Sequence, residues 1–218
     1  MNQWKQSKGL TIIYVGDGKG KTTAAVGAVA RALGHGWKVL FMQFMKEEKW
    51  PSGERDFFRF VQGLGVLPPA DLAVLTSVPR GKGFPSASPL CESKEASSAL
   101  GEIKIEVVGE GFVGIMGDKK ERETHRAAAQ SGYEKVLKMI THMFVPEPSL
   151  PRAESRGGAT EIYQLVVLDE ILSAVDEGLL TEQQILDLMA KKPEEVTLIM
   201  TGHKSYPAIF AKADLVTE

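Results

Sequence analysis

A strand, a glycine loop and a helix follow one another near the start of this chain, and that succession limits the fold more than any other feature. The apolar run Leu10-Thr11-Ile12-Ile13-Tyr14 leads into Val15-Gly16-Asp17-Gly18-Lys19-Gly20-Lys21-Thr22-Thr23, and the Ala-rich stretch from Ala24 to Leu33 follows at once. Gly16, Gly18 and Gly20 allow a tight bend that turns successive N–H groups toward one point, where the first helical turn adds the positive end of its dipole. Such a loop collects an anion. Lys21 supplies a mobile charge for phosphate oxygens, and the Thr22 hydroxyl suits a magnesium ion carried by a nucleotide. The pattern G-x-x-x-x-G-K-[ST] holds only in its second half, because its first glycine falls on Val15. A chance Gly-Lys-Thr in a glycine-rich turn would not bring strand, loop, helix and three glycines together. The loop predicts a nucleoside triphosphate.

The rest of the chain repeats the alternation. Gly34-His35-Gly36 stops the first helix, and Lys38 to Phe44 reads as a second, mostly apolar strand. Further apolar runs at Ile103 to Val108, Tyr163 to Leu168 and Val196 to Met200 are separated by helical patterns. This is an α/β layout, a mostly parallel sheet covered by helices. One long helix is expected over 118–142, with Asp118 as N-cap and Ala127, Ala128, Val136, Leu137 and Ile140 on a shared face. A shorter one is expected over Thr181 to Lys192, where Thr181 and Gln184 have capping-box spacing and Pro193 lies just past the end. Residues 64–101 and 144–160 fit neither period and concentrate Pro, Gly, Ser and Ala; they read as irregular insertions, either disordered, as composition favours, or functional lids, in a single domain spanning 1–218.

Composition narrows the function classes. With 218 residues and 43% hydrophobic content the chain is long enough for a substantial core. A net charge of −2 gives no global field toward nucleic acid or an acidic membrane. The single cysteine, Cys91, forms neither an internal disulfide nor a cysteine metal cluster, as suits a reducing compartment. The N-terminus is polar and no apolar run approaches the ~18 residues of a spanning helix. A cytoplasmic protein without nucleic-acid or membrane partners is expected.

A second motif, Leu165-Val166-Val167-Leu168-Asp169-Glu170, ends an apolar run in two carboxylates. It places them at the C-terminal mouth of a buried strand, where open α/β sheets bind ligands. With a triphosphate on the glycine loop, Asp169 or Glu170 could hold Mg²⁺ directly or through water, with Thr22 taking another position. The alternative is that either acid merely caps the helix that follows, Ile171 to Val175.

Taken in order, several segments resemble one family. They are Gly16 to Ala25; Ala30-Arg31-Ala32-Leu33-Gly34-His35-Gly36; Gln43-Phe44; Trp50-Pro51-Ser52-Gly53-Glu54-Arg55; Gly111-Phe112; the helix with Ala127 and Ala128; Val167-Leu168-Asp169-Glu170; Thr201-Gly202; and Ala213 to Glu218. The set resembles the ATP:corrinoid adenosyltransferases of the bacterial cobalamin-pathway type, also called cob(I)yrinic acid a,c-diamide adenosyltransferases. The resemblance implies a RecA-like P-loop fold that binds Mg-ATP in an orientation unusual for such loops, and alkyl transfer in place of hydrolysis. A corrinoid reduced to Co(I) attacks the ribose 5′-carbon and intact triphosphate leaves. A reductant system for the cobalt and a homodimer are implied as well.

Carried onto this chain, the resemblance puts the nucleotide on Gly16, Asp17, Gly18, Lys19, Gly20, Lys21, Thr22 and Thr23, with Gln43 and Glu54 close to the nucleotide or corrinoid. Lys21 and Thr22 would act on the triphosphate, Thr22 with Asp169 or Glu170 on Mg²⁺, and Phe112 beside the corrinoid, where a corrin face could also stack on Trp50. The sequence departs from the family at several points. Asp17 stands where asparagine is common, Gly111-Phe112-Val113-Gly114 lacks the tryptophan of Thr-Gly-Phe-Thr-Trp, Thr201-Gly202-His203 replaces Thr-Gly-Arg, and family members usually continue past the residue matching Glu218. Two other readings remain open: a P-loop ATPase or switch, and a divergent ATP- or corrinoid-binding relative with weak turnover.

Overall fold

Every strand runs in the same direction. A computed structural model describes residues 8–65, 100–114, 120–142 and 163–218. Within them lie β1 (Thr11–Tyr14), α1 (Lys21–Gly34), β2 (Val39–Gln43), α2 (Gly53–Gly65), β3 (Ile103–Val107), α3 (Arg122–His142), β4 (Leu165–Asp169), α4 (Ile171–Asp176), α5 (Glu182–Lys191), β5 (Thr197–Thr201), α6 (Pro207–Phe210) and β6 (Leu215–Thr217). The six strands form one parallel sheet in the order β3-β2-β4-β5-β1-β6. One strand, β5, separates the loop-bearing β1 from the acid-bearing β4, the arrangement expected of a RecA-like α/β fold.

Strands β2 and β4 are buried at every position, on both faces of the sheet, which is why each is apolar up to its last residue, Gln43 or Asp169. Leu40, Met42, Val166, Leu168, Leu198 and Met200 pack on one face with α3 to α6, through Val136, Ile140, Leu172, Ile185, Leu188 and Ile209. Val39, Phe41, Leu165, Val167 and Ile199 pack on the other with Ala25, Val29, Ala32 and Leu33 of α1 and Phe58 of α2. Two helical layers thus cover the sheet.

The same alternation aims the polar strand ends. Gln43 is level with Asp169, and Leu168 with Met200, so Asp169 and Thr201 are each one step beyond a paired position. All three share the parity of the residues facing α1. The sheet therefore delivers Gln43, Asp169 and Thr201 to the side where α1 begins.

Several expectations need correcting. The long helix begins at Arg122, with Asp118 outside the described residues, and Ala127 is exposed; its buried face is His125, Ala129, Tyr133, Val136 and Ile140. The strand expected from Tyr163 begins at Leu165 and includes Asp169. Helix α2 and strand β6 were not expected at all. In α2 the buried positions are Arg55 and Phe58 while Phe57 and Phe60 face out, so polarity and burial are out of step and the pattern is unreadable. The 144–160 insertion and nearly all of 64–101 fall outside the described residues. The capping box of α5 is present as expected: Thr181 Oγ1 accepts from the Gln184 N–H and the Gln184 side chain accepts from the Thr181 N–H.

Candidate functional site

The glycine loop lines a cleft of 320 Å³ together with Tyr14, Ala24, Thr217 and Glu218. Gly16 and Gly20 have φ of 121° and 119°, a region closed to ordinary L-residues, so glycine is required at both. Helix α1 starts with Gly20 as its N-cap, with no capping side chain and no acidic residue in its first turn. Its opening N–H groups are therefore left for an external acceptor, and the helix dipole favours an anion there. Lys21 Nζ donates to the Gly16 and Gly18 carbonyls at 2.5 and 2.8 Å, folding the lysine back over its own loop. The Gly16 N–H is engaged by the His203 carbonyl at 3.2 Å. Amides that face an anion must come from further along, toward Thr22. Asp17, Gly18, Lys19 and Thr23 are exposed.

Thr22 connects this loop to the strand ends. Its Oγ1 donates to Asp169 Oδ1 at 2.9 Å, and Thr201 Oγ1 donates to the same oxygen at 3.0 Å. Gln43 Nε2 donates to Asp169 Oδ2 at 3.3 Å and to Glu54 Oε1 at 3.1 Å. Since both acceptors are carboxylates, the amide orientation is fixed, and Gln43 Oε1 is left buried without a donor. Lys46 Nζ hydrogen-bonds Glu54 and lies 3.5 Å from Asp169 Oδ2. Burial would raise the Glu54 pKa, but hydrogen bonds from Lys46 and from its own backbone amide, with the Lys46 charge, bring it down to about 2.

Glu170 stands next to this network in an unusual backbone state, the only positive-φ residue other than glycine among those described, at 61°. That costs of order 1–3 kcal/mol and clusters with function. Its backbone N–H is held by Thr201 Oγ1 at 2.8 Å. The side chain occupies the N-cap position of α4 without making a capping bond. Oε2 accepts from Ser173 and lies 3.7 Å from His203 Nε2.

Phe112 falls outside this network. Its ring stacks on Trp50 at a centroid separation of 6.0 Å and an interplanar angle of 24°. Gly111, at φ 101°, brings the chain so close that a Cβ there would meet the indole at 3.2 Å. Arg55, 2% exposed, holds the Trp50 loop by donating to the carbonyls of Glu48, at 3.1 Å, and of Trp50. Lys120 joins the two aromatic loops through Glu47, at 2.7 Å, and Glu110. The Lys120 hydrogen bond, followed by that of Lys49, holds the Glu47 carboxyl below its ordinary range.

Sequence reasoning thus singled out residues that the structure brings together: the loop, Thr22, Asp169, Glu170, Gln43 and Glu54. It missed Lys46, Ser173 and the loop-holding role of Arg55. Lys46 carries no periodic signal; only its position three residues past Gln43, at a strand end, marks it.

A magnesium ion fits these donors. Among the described residues no three His, Cys, Asp or Glu side chains group into a metal site. Thr22 and one carboxylate are hard-oxygen donors of the kind Mg²⁺ takes, and would suit an ion whose other positions phosphate oxygens and water fill. Water carried by such an ion would be a donor, and the buried Gln43 Oε1 lacks one. A larger cleft, of 480 Å³, opens at the opposite strand ends near Lys38, Ile103 and Tyr163, away from this chemistry.

Comparison with known proteins agrees with the geometry. The family model described as ATP:corrinoid adenosyltransferase BtuR/CobO/CobP matches residues 7–84 and 82–218. The corrinoid adenosyltransferase of Escherichia coli strain K12 is 26% identical over 216 residues, covering 99% of this chain and 79% of that protein. That of Pseudomonas aeruginosa strain PAO1 is 27% identical over 216 residues, covering 99% and 77%. A Sinorhizobium corrinoid adenosyltransferase is 24% identical over 212 residues, covering 97% and 72%.

Proposed function

Because the chain belongs to the ATP:corrinoid adenosyltransferase BtuR/CobO/CobP family, a family of transferases, we propose that it moves the 5′-deoxyadenosyl group of ATP to the Co(I) centre of a reduced corrinoid and releases inorganic triphosphate. The observation that carries this reading is the 2.9 Å bond from Thr22 to Asp169, which ties the phosphate loop to the acidic strand end.

In the proposed step both electrons come from cobalt. The Co(I) lone pair forms the Co–C bond to C5′, the C5′–O bond breaks, and its electron pair leaves on the triphosphate oxygen. No proton is abstracted, so the reaction asks for alignment and charge neutralisation and for no general base. The Gly18 to Thr22 amides and the α1 dipole would hold the phosphates, joined by Lys21 once it releases the loop carbonyls. Thr22 with Asp169 or Glu170 would hold Mg²⁺, which spreads the charge of the leaving group. Asp169 has donors on both oxygens, whereas Glu170 has only Ser173 and the nearby His203 on Oε2, so Glu170 is the more readily available ligand. Thr23, in the first turn of α1, would support the phosphate site, and Gln43 and Glu54 would border it. The Trp50–Phe112 stack is a flat apolar surface suited to a corrin ring. The cobalt arrives as Co(I), which an external one-electron reductant must generate from Co(II).

The test is an anaerobic incubation of the purified protein with Mg-ATP and chemically reduced cob(I)alamin. Adenosylcobalamin and inorganic triphosphate in equal amounts are expected. ADP and orthophosphate without a cobalt–carbon product would overturn the proposal in favour of an ATPase.

A further inference from the structure

We propose that Lys46 is a second triphosphate-binding cation of this site, stored on Glu54 and Asp169 while the nucleotide is absent and turned to the phosphates when it arrives. The inference rests on the nucleotide reading above and extends it to a residue that the sequence did not single out.

Position is the first argument. Asp169 carries Thr22 on Oδ1 at 2.9 Å and Lys46 on Oδ2 at 3.5 Å, so the ammonium and the phosphate-loop threonine approach opposite oxygens of one carboxylate. Lys46 is thereby within the reach of one side chain from the triphosphate.

Valence is the second. Asp169 already has three neutral donors in Thr22, Thr201 and Gln43, and the ammonium sits at ion-pair distance beyond them. Its departure leaves no oxygen of Asp169 unbonded. Lys46 also keeps 21% of its side-chain surface exposed although its partner Asp169 has none.

Charge is the third. Glu54, Asp169 and Glu170 form an acidic wall into which a polyanion must be brought, and Lys46 is the lysine paired with two of the three. A triphosphate gains a further negative charge as the C5′–O bond breaks. A lysine, with three donors on a flexible stem, can exchange carboxylate for phosphate oxygens without rebuilding the site. Lys21 is likewise held on oxygen acceptors, the Gly16 and Gly18 carbonyls.

The experiment measures binding of inorganic triphosphate with Mg²⁺ by titration calorimetry, on the full chain and on Lys46→Met and Lys46→Arg. We expect Lys46→Met to weaken binding by about tenfold or more, the usual scale of one charge-assisted hydrogen bond, and Lys46→Arg to retain most of it. In the unaltered protein, acetylation of Lys46 followed by mass spectrometry should slow when Mg-triphosphate is added, a readout that needs no variant to fold. Equal or tighter binding by Lys46→Met, or no protection of Lys46, would overturn the proposal and leave Lys46 as a counter-ion for the acids. Failure of the unaltered protein to bind Mg-ATP or Mg-triphosphate is a separate result that would remove the nucleotide reading itself, and this proposal with it.

Discussion

At the scale of the residue, the site depends on a few atoms with no substitute. Gly20 sits at φ 119° with open space where a side chain would go, so its constraint is conformational and not steric. Gly20→Ala should lower the melting temperature and weaken Mg-ATP binding about tenfold or more, the effect of ~1–3 kcal/mol of backbone strain at the loop. Gly18, with ordinary φ and equal space, should accept alanine with no change in melting temperature. Calorimetry and thermal denaturation on the pair separate the two effects. Glu54 offers a pH test. Its pKa lies near 2 in the folded chain, below the ordinary 4.5, so the unfolded state takes up its proton first as pH falls. The stability it contributes is fully present above about pH 4.5 and is lost as pH falls through about 2. Carboxyl NMR should find Glu54 titrating near 2, and Lys46→Met should raise that value, because burial then acts without its strongest opposing partner.

At the scale of the element, what was legible in the sequence is what obeys a local rule. Strand β4 could be read because an unbroken apolar run with acids at its end has few other uses, and α5 because Thr181 and Gln184 form a capping box. Thr181→Ala should cost about 1 kcal/mol in urea unfolding without affecting ATP binding, since α5 lies on the sheet face opposite the site. Elements set by tertiary contact were not legible. Helix α2 buries Arg55 and exposes Phe57 and Phe60, because Arg55 is needed under the Trp50 loop to bind main-chain oxygens. Strand β6 is exposed along its length and exists because β1 offers it an edge. The site divides the same way. Thr22, Asp169 and Glu170 belong to motifs with a chemical reason for their spacing, whereas Lys46 enters only through the geometry at the end of β2.

At the scale of the molecule, the parallel order sets which parts must coexist. Strand β1 pairs with β5 on one side and β6 on the other, and the loop it carries is fastened at Val15 to Thr217 and at Gly16 to His203. A chain ended at residue 196 should therefore show no cooperative melting and no Mg-ATP binding, by circular dichroism and calorimetry. Retention of binding would mean that the loop is built without these neighbours. The order also has a consequence in time. The glycine loop leaves the ribosome well ahead of β5 and β6, the strands that flank β1, which follow roughly ten to forty seconds later at ordinary synthesis rates. For that interval β1 has neither neighbour, and the nascent protein carries a nucleotide loop that nothing fastens. If the loop holds ATP as proposed, a nascent chain should gain that binding only after β5 and β6 have been made, and one cut short before them should not bind the nucleotide.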